Sequence, residues 1–283
     1  MMKADVFDPR ICALGEGPLW HPERGQLFWF DILGRRLLTR EAGEARSWEF
    51  DEHVSAAGWV DRDTLLIASE TGLFRFDLES GRQTRLADLE AGNPITRSND
   101  GRADPFGGFW IGTMGKSAER KAGAIYRFFE GRVTKLFDRI TITNAISFAP
   151  DGRTAYFTDT PGRQILRQPL DAQGWPEGGP SIFIDLRAES LNPDGAVVDE
   201  DGCLWNAQWG ANRVAHYSPE GEYLNAFSFP AAQVSCPAFG GEGLTRLFAT
   251  SAAHDLHPPG AADGQTFVVE TGSRGQAEHQ VLL

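Results

Sequence analysis

The stretch NAISFAPDGRTAYFTDT, residues 144–160, decides the fold. An apolar run leads to Asp151-Gly152, and a second run follows that ends in small and polar residues. Asp and Gly tolerate the positive φ of a tight hairpin loop, so the stretch predicts a β-hairpin. The pattern occurs five more times, in GPLWHPERGQLFWFDI from Gly17, AAGWVDRDTLLIASE from Ala56, NDGRADPFGGFWIGTM from Asn99, PDGAVVDEDGCLWNAQW from Pro193 and PAFGGEGLTRLFATSA from Pro237. A third strand usually follows, as in GLFRFDL (72–78), GAIYRFF (123–129), QILRQPL (164–170), RVAHYSP (213–219) and QTFVVET (265–271). Fainter fourth strands are visible at 132–138 and 181–187.

Four short strands in a repeat of roughly 45 residues is the plan of a propeller blade. Six repeats predict an all-β, six-bladed β-propeller with four-stranded antiparallel blades and a central channel. No linker or shift in composition divides residues 1–283, so one domain is expected. The ring must be closed by strands from both termini, and MKADVF (residues 2–7) is the N-terminal candidate.

Composition agrees with this reading and narrows the function. The 283 residues include 32 Gly, 16 Pro, 19 Phe and 8 Trp, which fits short aromatic strands joined by many turns. With 41% hydrophobic residues the chain can fill a core, so disorder is excluded. No apolar run is long enough to span a bilayer, and the first residues carry no secretory pattern. The 27 basic and 39 acidic residues give a formal charge of −12, which argues against nucleic acid and anionic membranes as partners. Cys12, Cys203 and Cys236 are odd in number and far apart, and they read as reduced thiols in a cytoplasmic protein.

Aligning the repeats exposes a second pattern. Four residues before Trp20, Trp59, Ala103, Phe148, Val198 and Phe239 stand Glu16, Ser55, Asn99, Asn144, Asp194 and Ser235, and all six are polar. Innermost strands line a propeller's channel, so one repeat position converges at one end of it. Glu16, Asn99, Asn144 and Asp194 would bring two carboxylates and two amide oxygens to a common point. Hard oxygen donors suit Ca²⁺, Mg²⁺ or Mn²⁺ better than a Cys/His zinc site. The competing reading is that these residues cap strand ends and hold channel water.

The chain resembles the regucalcin (senescence marker protein)/gluconolactonase family over nearly its whole length. The likeness rests on GEGPLW at 15–20, Arg97-Ser98-Asn99-Asp100-Gly101 with GFWIGTM at 108–114, APDGRTAYFTDT at 149–160 and NPDGAVVDEDGCLWNAQWG at 192–210. It implies one divalent metal held by Glu16, Asn144 and Asp194, with Arg97 and Asn99 facing the substrate. The implied activity is opening of a sugar-acid lactone to the aldonic acid. Calcium is the first candidate, and oxygen donors also admit magnesium, manganese, zinc and ferrous iron. Two departures stand out. Some members carry a substrate-contacting Glu after GTM, where this chain has Gly115-Lys116-Ser117, so Lys116 becomes the substrate-binding candidate. The family's Asn-Gly of blade four is Asn144-Ala145 here, which is expected to change the turn.

These parts suggest a mechanism. A metal polarises the ester, Asp194 acts as general base on water, Glu16 balances charge, and Arg97 supplies a fork of donors. Trp209 and Phe30 could line the mouth, although packing between blades is the favoured reading for each. His254-Asp255-Leu256-His257 reads as an exposed loop, and Asp199-Glu200-Asp201-Gly202 as the blade-five turn. No GxSxG elbow or GxGxxG loop is present. The alternatives are a lactonase or esterase acting on a non-sugar lactone or a phosphotriester, and a non-enzymatic calcium-binding propeller.

Overall fold

The computed structural model describes residues 4–283 and consists of six four-stranded antiparallel sheets arranged as the blades of a propeller. The innermost strands are Gly15–His21, Val54–Asp61, Thr96–Ala103, Thr143–Phe148, Asn192–Val198 and Gln233–Gly240. Each packs against the next around the ring, and the sixth returns to the first. Among the described residues the only helical pieces are two 3-10 turns, Thr160–Gly162 and Glu242–Leu244, and no helix is long and apolar enough to cross a membrane.

All six expected turns join an innermost strand to its neighbour. The faint fourth strands at 132–138 and 181–187 are real, as Arg132–Ile140 and Ser181–Asp185. Their counterparts Glu44–Glu49, Gln83–Asp88 and Tyr223–Ser228 are largely solvent-facing. Outer strands bury little, which is why their apolar alternation is weak.

The ring closes as anticipated at its N-terminal side. Asp5–Asp8 pairs antiparallel with Thr266–Glu270 and forms the outer strand of blade six, whose other strands are Arg246–Ala252 and Gln233–Gly240. Met2 and Lys3 of the anticipated strand lie outside the described residues.

The core is divided among the blade interfaces, with one apolar cluster at each. Phe28, Phe30 and Phe76 fill the space between blades one and two, Trp110 and Phe148 that between three and four, and Trp205, Phe239 and Phe267 that between five and six. Phe30 is fully buried there, so it packs and does not line the channel mouth.

The two ends of the channel are built differently. The polar ring lies at the start of the innermost strands. At their far ends the C-terminal segment crosses the opening. Gln276 Nε2 donates to the carbonyls of Phe148 (3.2 Å) and Val198 (3.0 Å). Trp59 Nε1 donates to the Glu278 carbonyl at 2.8 Å, the Glu278 carboxylate pairs with Arg102, and the Leu282 amide donates to the Gly107 carbonyl at 2.9 Å. Val281 is buried in the cluster between blades two and three. The sequence reading assigned no role to this segment.

Candidate active site

Each innermost strand carries a register shift beside its ring residue. In blade one Glu16 lies opposite Phe30, and the next pair is Leu19 with Phe28, so two residues are accommodated where the partner has one. Equivalent shifts follow Asn144, bracket Asn99-Asp100 and Asp194-Gly195, and recur at Ser55 and Ser235. A bulge turns a side chain out of strict alternation, and its repetition in every blade is what points this position into the channel.

The bulge needs a left-handed residue in two blades. Gly17 takes it at φ 53° in blade one, and Ala145 at φ 58° in blade four. At Asn144-Ala145 the alanine adopts the left-handed conformation that Gly17 takes in blade one, at a cost of about 1–2 kcal/mol relative to a relaxed backbone.

Five of the anticipated site residues share one cavity of about 370 Å³: Glu16, Arg97, Asn99, Asn144 and Asp194. None is more than 6% exposed, so they form its floor. The two remaining ring positions are used in packing. Ser55 Oγ donates to Ser98 Oγ at 2.8 Å, and Ser235 Oγ bonds to the Gly15 carbonyl and to Thr250 Oγ1.

A hydrogen-bond chain fixes the floor. Arg97 Nη1 donates to the Ser98 carbonyl (2.8 Å) and to Asn99 Oδ1 (2.7 Å). Asn99 Nδ2 donates to the Thr143 carbonyl (2.9 Å) and to Asn144 Oδ1 (3.0 Å). Asn144 Nδ2 donates to Thr160 Oγ1 at 2.9 Å, and that hydroxyl donates to the Pro193 carbonyl at 2.8 Å. Blades three, four and five are thereby locked together, and each amide's orientation is set by its neighbours. Among the described residues, Arg97 Nε and Nη2 have no hydrogen-bond partner in the protein.

Lys116 lines the same cavity from the segment joining the second and third strands of blade three. Its ammonium pairs with Glu70, which also accepts from His53 Nδ1 at 2.7 Å. Trp209 lines the cavity as well, so the mouth reading holds for it and the packing reading does not. The 254–257 stretch is a loop with exposed histidines, as expected, and His254 and Asp255 form part of the rim.

One group was overlooked. Asp100 is 3% exposed, and its Oδ2 accepts from the Ile146 amide at 2.7 Å. Burial lifts its pKa to about 6. Burial, reinforced by the charge of Asp100, lifts Glu16 to about 8. Asp194 is raised well above the carboxylate range, by burial first and then by Glu16 and Asp100. Arg97 offsets Glu16 and Asp194 in part and is itself pushed down to about 10 by burial. On the cavity floor two desolvated carboxylates, Glu16 and Asp194, and two amide oxygens share the one guanidinium of Arg97, and the nearby charge of Asp100 adds to the shortage of positive charge. A divalent cation fits that deficit and the all-oxygen donor set.

Residues 14–253 match the SMP-30/Gluconolactonase/LRE-like region. The chain belongs to that family. This SMP-30/gluconolactonase propeller is 45% identical over 272 residues to a Rhizobium meliloti (strain 1021) protein provisionally named a sugar lactone lactonase, covering 94% of this chain and 92% of that one. It is 37% identical over 279 residues to the L-arabinolactonase of Azospirillum brasilense, covering 94% and 91%. Among solved structures it matches regucalcin of Agrobacterium tumefaciens str. C58, described as a calcium-binding protein, with a TM-score of 0.96 and 40% identity over 100% of this chain and 98% of that one.

Proposed function

We propose that the protein opens a sugar lactone to its aldonic acid. Glu16, Asn144 and Asp194 would hold one divalent cation, and Arg97, Asn99 and Lys116 would receive the substrate. One observation carries this reading. Two buried carboxylates short of compensating charge lie on the floor of a cavity beside an arginine with two unused donor nitrogens. The cavity volume of about 370 Å³ suits a small polar ligand. The names of the relatives supply the substrate class.

Calcium is the first candidate ion, and magnesium, manganese, zinc and ferrous iron suit the same donors. When bound, the cation acts as a Lewis acid toward the lactone carbonyl and steadies its developing negative charge. Asp194, its pKa raised by burial and like charge, removes a proton from water as the oxygen attacks the carbonyl carbon. It returns that proton to the ring oxygen as the C–O bond breaks, so water is divided between the two product ends. Glu16 balances the remaining charge. Arg97 is held at Nη1, which leaves Nε and Nη2 to donate to the lactone and its hydroxyls. Lys116 at the rim meets the distal hydroxyls.

A role limited to cation binding, which the description of the Agrobacterium relative invites, leaves those two donors without a task. A pH-drop assay on gluconolactone, xylonolactone, arabinonolactone and galactonolactone tests the proposal. Hydrolysis faster than spontaneous opening, abolished by chelator and restored by calcium, is expected for at least one of them. A lack of acceleration across the panel, with calcium present, defeats it.

A further inference from the structure

Blades three and five share a hairpin turn but differ in what surrounds it. In blade three, Asp104 Oδ1 accepts from the amides of Phe106 and Gly108, and Oδ2 accepts from Arg127 Nε at 2.7 Å. In blade five, Asp199 Oδ1 accepts from the amides of Asp201 (3.1 Å) and Cys203 (2.8 Å). The registers coincide, with Arg127 opposite Trp110 and His216 opposite Trp205. Blade five thus has Cys203 where blade three has Gly108, and His216 where it has Arg127. An inert residue and a permanent cation are replaced by two metal-ligating side chains.

His216 is 8% exposed, and neither of its ring nitrogens has a hydrogen-bond partner. Its Nε2 lies 3.7 Å from Asp199 Oδ2, beyond a hydrogen bond. Ligand atoms of Asp199, Cys203 and His216 all lie within 4.8 Å of one another. Ligands on one tetrahedral zinc sit about 3.5 Å apart, so a small inward movement completes the set. The surroundings are already in place. Trp205 Nε1 donates to Asp199 Oδ2 at 2.9 Å, and the indole stacks on the His216 ring with centroids 3.9 Å apart. Cys203 is partly exposed, which leaves a path for the ion and room for a water as fourth ligand.

We propose that Asp199, Cys203 and His216 form a second metal site, selective for zinc or a similar borderline ion, that clips the blade-five turn to its third strand. Binding releases the Cys203 thiol proton to solvent and leaves the thiolate on the metal. The site is independent of the channel, since it lies at the turn end of the blade and Asp194 lies at the opposite end of the innermost strand.

Cobalt(II) is the direct probe. Chelator-stripped protein titrated with Co²⁺ should gain a near-ultraviolet sulfur-to-metal absorption, because the channel offers oxygen donors only. Cys203→Gly, which reproduces the Gly107-Gly108 turn of blade three, should lose that band, retain lactone hydrolysis and bind one zinc fewer by elemental analysis. His216→Arg, which rebuilds the blade-three ion pair, should also lose the band while remaining folded. Cys203→Ser serves if the glycine variant is unstable. A wild type without the band, a band that persists in both Cys203 variants, or equal zinc content in wild type and variants overturns the proposal.

Discussion

At one end of the channel Glu16 and Asp194 share the cavity floor with Arg97, Asp100 is buried nearby, and burial drives all three carboxylates toward protonation. At the other end the Glu278 carboxylate pairs with Arg102, whose guanidinium also donates to the Ala196 carbonyl at 3.3 Å, and the C-terminal segment covers the opening. Both ends bury charge, yet the far end matches it and the near end does not. Removing a buried, unmatched charge relieves the fold, whereas removing half of a matched pair leaves the other half stranded. The contrast marks which end is built for stability and which is built to receive something.

Substitutions at the two ends should therefore act in opposite directions. The largest effect is expected at Asp194. Asp194→Asn and Asp194→Ala should each lower lactone turnover by about a thousandfold, the scale of a lost general base. The same Asp194→Asn should raise the melting temperature of chelator-treated protein, because a desolvated carboxyl has gone. Near-normal turnover would break the comparison at once. At the far end, Glu278→Ala should cost about 3 kcal/mol of stability in urea unfolding by stranding Arg102, with turnover of the folded protein unchanged.

A pH series sharpens the contrast. Glu16 has a folded pKa of about 8 against an ordinary value of 4.5. An acid raised on folding contributes stability that is full below its unfolded pKa and lost as pH rises through its folded pKa. Chelator-treated protein should thus lose stability between about pH 4.5 and pH 8, and added calcium should restore most of it at the alkaline end. A flat profile in chelator would mean that the near-end carboxylates are matched after all. The smallest effect belongs to Ala145. Ala145→Gly should stabilise the protein by about 1 kcal/mol, because the left-handed φ of 58° suits glycine.

Much of the near end was legible in the sequence, for a physical reason. The bulge recurs in every blade, so stepping a fixed four residues back from an apolar position finds Glu16, Asn99, Asn144 and Asp194 together. Asp100 escaped because simple alternation sends neighbouring residues to opposite faces, and the bulge between Ser98 and Gly101 breaks that alternation. Trp209 and Phe30 have similar surroundings in sequence, and only the third dimension assigns one to the cavity and the other to a blade interface. The far end was invisible: residues 271–283 have no strand period, and their meaning lies in the hole they cover.

Closure of blade six has a consequence during synthesis. Asp5–Asp8 is made about 260 residues before its partner Thr266–Glu270. At roughly 5–20 residues per second the nascent protein spends tens of seconds as an unlatched spiral, with two raw sheet edges exposed to any neighbouring chain. Crowded overexpression should therefore favour dimers that have exchanged their opening strand, and slower, cooler production should favour monomers whose latch has found its own catch.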